Sequence, residues 1–449
     1  MNAGVRQLTS DWDASATAEA PVSPENLKET GLTSTMISDL LLRSIYRRGP
    51  QLGRDLGKFL CLPFKIIREP LKFLKDEKCI QVDGGDMVGE VSYRFSLTDL
   101  GRGRANELMK QCAYVGPAPV PLEDYVEQCY RQTVTGLNCY PEALKAPFRH
   151  LVIREELFNA IGPAIISGRS VFIYGPPGNG KTAIARSIGE YMNSAGGSIY
   201  IPHAFVADGN IVTLFDPSLH TVDDTNTEFG DEAEVSMRRL LSEGQADARW
   251  VKIRRPVIVV GGELTLEMLD LRMNDDANFY QAPIHFKANG GVFLIDDFGR
   301  QIVSPKDLLN RWILPLEDRH DFLTVKSGKK FQVPFEQLII FSTNLDPKAL
   351  VDDAFLRRIR HKVGILAPTR ETYEKIFASV CKRLDMNFSP DAVEYLYERY
   401  YNRGRTPRAS DCRDLLETVQ SICRYRRQPV HLTKDLMAEA SARFIAEFA

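Results

Sequence analysis

The sequence predicts an α/β protein. A parallel sheet with helices on both faces is preceded by a small helical module and followed by an all-helical segment. Three observations carry this reading. Short β-branched runs alternate with helical patterns between residues 170 and 366, as strands buried on both faces do. The first run leads straight into a glycine-rich loop and then a helix. Beyond Pro368 only helical spacing is found.

Composition narrows the class. The chain has 449 residues, 44% apolar and 26% charged, which excludes wholesale disorder, collagen and coiled-coil arrays. With 57 Lys and Arg against 59 Asp and Glu the net charge is −2. Any nucleic-acid contact must therefore come from a local patch. The eight cysteines are scattered, with no C-x-x-C and no zinc spacing, so reduced thiols and a cytoplasmic location are expected. Neither a signal peptide nor a membrane span is expected, because the N-terminus lacks an apolar core and no apolar run approaches spanning length.

Taken in order, residues 1–24 are rich in Ser, Ala, Thr and Pro and read as a disordered tail. Residues 25–112 form the amino-terminal module. Met36, Leu40, Leu41 and Ile45 recur at helical spacing, a second helix fits 52–60, and a third fits 64–77. A two-stranded wing and a last helix follow. This is the order of a winged helix-turn-helix, and the run from Tyr93 to Arg102 resembles the wing-to-last-helix passage of MarR-like and PadR-like winged helices. Residues 113–145 read as a Pro-rich linker with a connecting helix, since proline fixes φ and discourages helix before it. The α/β nucleotide-binding domain is placed at 146–366 and a helical lid at 367–449. Strands are expected at 170–174, 198–202, 256–260, 291–295, 338–342 and 361–365.

The loop Gly175, Pro176, Pro177, Gly178, Asn179, Gly180, Lys181 and Thr182 fits G-x-x-x-x-G-K-[ST] between a buried strand and a helix. Its glycines let backbone N–H groups converge on phosphate oxygens at a helix N-terminus. Lys181 supplies a point charge for the β and γ phosphates, and the Thr182 hydroxyl can ligate Mg²⁺. The strand 291–295 ends in Asp296 and Asp297. Asp296 is assigned to the metal, through water, because Mg²⁺ keeps much of its hydration shell. Asp297 is assigned to the attacking water. His203, His220, His285, His320 and His361 have no spacing that suggests metal ligation or a nucleophilic triad.

Over about 145–449 the chain resembles the AAA+ ATPases. Gly175 to Thr182 looks like Walker A and Ile295-Asp296-Asp297 like Walker B, although most members carry Asp-Glu there. The resemblance places sensor 1 at Asn344 and the arginine finger at Arg358, with Arg357 next in line. It places sensor 2 at Arg413. It implies ATP hydrolysis with Mg²⁺ in a ring, most often a hexamer. Two hairpins are expected, around Asp208-Gly209 and over 321–333. The second is similar to the pre-sensor-1 hairpin of MoxR-like proteins and bacterial enhancer-binding activators. The activators' G-A-F-T-G-A signature is absent, which disfavours that class. The acidic stretch 221–234 reads as a solvated loop.

Two functions stay open at this point. Lys65, Arg68, Lys72 and Lys75 form one stripe of the helix 64–77, with Ile67, Leu71 and Leu74 on its core side. In a winged helix that helix can enter the major groove of duplex DNA, but it can equally dock protein. Residues 25–110 hold 15 Lys and Arg against 12 Asp and Glu, a weak electrostatic footprint. One reading is an ATPase that remodels a protein client. The other is a DNA-bound regulator in which the ATPase is a switch.

Overall fold

The computed structural model describes residues 18–85, 89–223, 246–274, 277–350 and 356–444. Its centre is a five-stranded sheet, parallel throughout, ordered Val257–Val260, Val292–Ile295, Leu338–Thr343, Ser170–Tyr174, His361–Gly364. Successive side chains leave a strand on opposite faces, and the apolar residues divide accordingly. Val171, Ile173, Leu294 and Ile340 pack with Ile161, Ile184 and Ile188 of helices Glu155–Ser167 and Lys181–Gly196. Phe172, Phe293, Ile295 and Phe341 pack on the other side with Leu308 and Trp312. This is the α/β architecture with a phosphate-loop core that the sequence predicts.

One expected strand is elsewhere. Ile199–Pro202 is outside the parallel sheet and pairs antiparallel with Trp250–Ile253. A continuous apolar run reports burial on two sides and does not report which sheet supplies the neighbours. The Asp208-Gly209 hairpin forms between Ala204–Ala207 and Asn210–Thr213, with both turn residues at positive φ. The second hairpin pairs His320–Thr324 with Lys330–Pro334.

The segment read as a linker is built into this layer. Val120–Pro121 pairs in parallel with Phe205 and Val206 at the sheet edge, where proline's missing N–H costs no ladder bond. Helix Leu122–Arg131 follows, with Tyr125 buried against Phe205 and Phe286. Residues 18–24, read as the end of a disordered tail, are also held. Val22 bridges Ala246, the Pro21 carbonyl accepts from Asp247 N at 2.7 Å, and Glu19 O accepts from Gln128 Nε2 at 3.1 Å. Residues 1–17, and 224–234 of the acidic stretch, lie outside the described residues.

At the amino-terminal end, helices Ser34–Arg48, Gly53–Leu60 and Phe64–Asp76 precede strands Ile80–Gly85 and Tyr93–Leu97 and helix Asp99–Gln111. The two strands pair antiparallel, and Gln51–Leu52 joins them as a third. Ile37, Leu41, Ile67, Leu71 and Leu74 close one core, which also takes in Ala204 and Ile211. The buried Arg249 guanidinium ties this module to the rest. It is ion-paired with Asp247 at 2.8 Å and donates to Thr30 O at 2.9 Å and Pro119 O at 3.3 Å. At the other end, helices Arg370–Arg383, Pro390–Arg399, Ala409–Tyr425 and Lys434–Phe444 enclose a separate core built on Tyr373, Phe377, Leu396 and Leu415. Among the described residues no helix is long and apolar enough to cross a membrane.

Candidate nucleotide site

A cavity of about 970 Å³ lies between the sheet's carboxyl end and the C-terminal helices. One wall is the loop that follows strand Ser170–Tyr174. Gly175 has φ +145°, and a Cβ there would come within 2.0 Å of Ile365 O, so only glycine fits the approach. Gly180, at φ +83°, precedes helix Lys181–Gly196 and offers no capping side chain. The first N–H groups of that helix are left facing the loop, an anion-binding arrangement.

The charged groups meet where three strands end. Lys181 Nζ donates to Gly175 O and Pro176 O, each at 2.9 Å, and to Asn344 Oδ1. Burial pushes the Lys181 ammonium below its ordinary pKa, while Asp296 and Asp297 pull the other way. The Thr182 hydroxyl donates to Asp296 Oδ2 at 2.6 Å. Asn344 Nδ2 donates to Asp297 Oδ1 at 2.7 Å. Asp297 is exposed and sits in the left-handed region at φ +49°. That turn is pinned by Gln301, whose Nε2 donates to Asp296 O at 3.1 Å and whose Oε1 accepts from Gly299 N at 2.8 Å. Nothing in the sequence pattern singles out Gln301.

The sequence-predicted residues divide into two groups. Lys181, Thr182, Asp296, Asp297, Asn344 and Arg413 all line the cavity, as do Pro177, Gly178, Asn179 and Gly180. Arg413 approaches from the C-terminal helices and pairs with its neighbour Asp414 at 2.8 Å. Arg358 does not line the cavity. Its Nε donates to Glu317 Oε1 at 2.7 Å, and Arg357 beside it is exposed. Ala354 and Phe355 of the same motif lie outside the described residues. The far end of the cavity is apolar, with Leu151, Ile153, Leu157, Ile365, Ile376 and Val380. His150, Arg154 and Arg383 also line it, and no motif singles them out.

The paired Thr182 hydroxyl and Asp296 carboxylate suit Mg²⁺, which takes one or two protein oxygens and completes its shell with water and phosphate. Among the described residues no cluster of three His, Cys, Asp or Glu side chains could hold a metal by itself. The histidines are used locally. His285, for example, is fully buried and hydrogen-bonded with Asp321 at 3.1 Å.

Comparison with known proteins adds little beyond this. Residues 369–443 match a family described as a domain of unknown function (DUF8689). No curated protein matches the chain. The Thermotoga maritima RuvB Holliday junction branch migration motor is 16% identical, with 68% of this chain and 70% of that one covered and a TM-score of 0.35. A point mutant of Thermotoga maritima RuvB is 14% identical, covering 68% and 71%, at a TM-score of 0.35. Domain III of the Thermotoga maritima replication initiation protein DnaA is 14% identical, covering 69% and 99%, at 0.36. Likenesses this distant carry no argument about activity or partners.

Proposed function

We propose that the chain is an AAA+ ATPase that binds ATP with Mg²⁺ and hydrolyses it to ADP and phosphate. The observation that carries this is the meeting of Lys181, Thr182, Asp296, Asp297 and Asn344 in one cavity at the carboxyl end of a parallel sheet. The apolar end would take the base and the glycine-rich loop the phosphates. Lys181 would exchange its two carbonyl acceptors for phosphate oxygens, and Arg413 would add charge from the lid side. Thr182 and Asp296 would hold Mg²⁺, which when bound screens the phosphate charge. Asp297 would orient the attacking water and accept its proton, with Asn344 holding the carboxylate in place.

In this reading Arg358 acts on a neighbouring subunit's nucleotide, which requires a ring, taken to be a hexamer. Its position outside the chain's own cavity supports that use. We assign the work of the ring to remodelling a protein client, as in the MoxR-like group with a pre-sensor-1 hairpin. The amino-terminal module then serves as a winged-helix docking domain. Eight free cysteines support a cytoplasmic setting. The rival reading, a regulator bound to duplex DNA, rests on the exposed Lys65, Lys72 and Lys75 together with Arg68. Arg68 is ion-paired with Glu90 at 2.6 Å, an exposed pair that a phosphate or an acidic protein surface could equally replace.

The test is capture. An Asp297→Asn variant loaded with ATP should retain a protein client that wild type releases. ATPase activity stimulated by duplex DNA and by no protein fraction would reject remodelling in favour of the regulator.

A further inference from the structure

The two carboxylates at the end of strand Val292–Ile295 are held by more than the residues that line the cavity. Asp296 is still attached to the sheet, its N–H donating to Val260 O at 2.8 Å. Phe298 is already back in the core. Its N–H donates to Ser342 O at 2.7 Å, and its carbonyl accepts from Thr343 Oγ1 at 2.7 Å. Between these two anchors Asp297 stands at φ +49°, a conformation that a side-chain-bearing residue keeps only where its surroundings enforce it.

The peptide plane between Asp296 and Asp297 sets that conformation. Flipping such a plane exchanges the directions of its N–H and C=O, and it changes ψ of one residue and φ of the next while the Cα atoms stay nearly in place. One flip here would return Asp297 to negative φ and swing its carboxylate away. Both edges of the plane are held against it. Asp297 N donates to Asp296 Oδ1 at 3.1 Å. Gln301 Nε2 donates to Asp296 O at 3.1 Å, and Gln301 Oε1 accepts from Gly299 N at 2.8 Å. A backbone carbonyl only accepts and a backbone N–H only donates, so the Gln301 amide has a single orientation. Gln301 itself does not line the cavity.

We propose that Gln301 is a positioning residue for hydrolysis. It locks the Asp296–Asp297 peptide, and the lock aims Asp297 at the attacking water without touching nucleotide. Asn344 restrains that carboxylate at its tip, and Gln301 restrains it at its root. This rests on the ATPase reading above.

The test uses the full chain and two readouts, fluorescent-ATP titration and single-turnover hydrolysis of radiolabelled ATP, which follows slow variants. Gln301→Met keeps the length of the side chain and loses both bonds. Gln301→Glu keeps the acceptor for Gly299 N and loses the donor to Asp296 O. Both should bind ATP within about twofold of wild type and hydrolyse it about ten- to a hundredfold more slowly, the scale of a misplaced reacting group. In an Asp297→Asn background, Gln301→Met should slow hydrolysis by less than about twofold more, because residues that act as a unit are not additive.

A wild-type hydrolysis rate in Gln301→Glu would overturn the lock, and it decides the matter even if Gln301→Met does not fold. Loss of ATP affinity that matches the loss of rate would make Gln301 a structural support and overturn the positioning role. An undiminished loss of rate on top of Asp297→Asn would do the same. A wild-type protein that does not hydrolyse ATP with Mg²⁺ would reject the ATPase reading and the lock together. Wild-type turnover with unaffected variants would reject the lock alone.

Discussion

Asn344 Nδ2 donates to Asp297 Oδ1 at 2.7 Å, and its Oδ1 accepts from Lys181. One amide thus spans the distance between the phosphate-binding lysine and the carboxylate assigned to water. The strand that carries it, Leu338–Thr343, lies between the strands that lead to the other two. In the proposed reading, the charge that meets phosphate and the carboxylate that takes the proton would share one fixed reference.

Lys181 and Asp297 should separate binding from turnover. Lys181→Ala should lose most ATP binding in a fluorescence titration, because backbone amides alone do not replace its charge. Asp297→Asn should bind ATP normally and release phosphate roughly 10²- to 10⁴-fold more slowly, the range for a positioned general base. Normal ATP affinity in the Lys181 variant would remove the loop from the assignment.

Arg358 should be silent in its own subunit and active in the next. Arg358→Ala should bind ATP and hydrolyse it about 10³- to 10⁵-fold more slowly, as for other arginine fingers. Mixing it with Lys181→Ala subunits should restore activity, because some interfaces then join an intact pocket to an intact finger. If mixed rings form and stay inactive, Arg357 is the next residue to test in the same way.

The basic stripe gives a salt titration. With Arg68 engaged by Glu90, Lys65, Lys72 and Lys75 are left for phosphate. Duplex binding by the full chain should then fall with a log–log slope near −2.7, at about −0.9 per contact. Lys72→Ala should reduce the slope by about one unit. No salt-dependent binding at any duplex length would leave protein docking as the use of this face.

Asp321 gives a pH-dependent stability. Burial alone would raise its carboxyl, but hydrogen bonds and charge from His285 and Arg311 outweigh burial and hold it below the ordinary value. A depressed folded pKa contributes stability above the unfolded value, near 4, that is lost as pH falls through the folded one. Asp321→Asn should destabilise the protein by about 1–3 kcal/mol near neutral pH, because buried His285 loses its carboxylate partner and half-buried Arg311 keeps only Asp270. That gap should narrow below about pH 4. Denaturant melts giving an equal gap at pH 3 and pH 7 would refute this account.

Much of the site is legible in the sequence because its chemistry is local. The run 170–182 contains strand, loop and helix start in order, and 291–297 contains a strand with both carboxylates at its end. The helix expected at 64–77 runs Phe64–Asp76, since its apolar spacing is unambiguous. Contacts between distant segments are not legible. Val120–Pro121 looks like linker because prolines are weighed by local effect, and the edge position that tolerates them depends on Phe205 and Val206. Ile199–Pro202 reads as a strand of the parallel sheet because its true partner, Trp250–Ile253, lies some fifty residues away. Asn179 reads as filler inside a motif, and its contact with Ala409 spans 230 positions.

The buried Arg249 knot has a mechanical meaning. Together with it, Asn278 Nδ2 grips Lys110 O at 2.7 Å and Ala113 N bonds Ala277 O at 2.7 Å. The amino-terminal module is therefore braced at separated points, to the segment before Trp250–Ile253 and to the turn before Phe279–Gln281, a joint of several bonds and not a single tether. Helix Phe64–Asp76 shares its apolar core with Ala204 and Ile211 of the Asp208-Gly209 hairpin. A partner bound by the module would therefore be coupled to that hairpin.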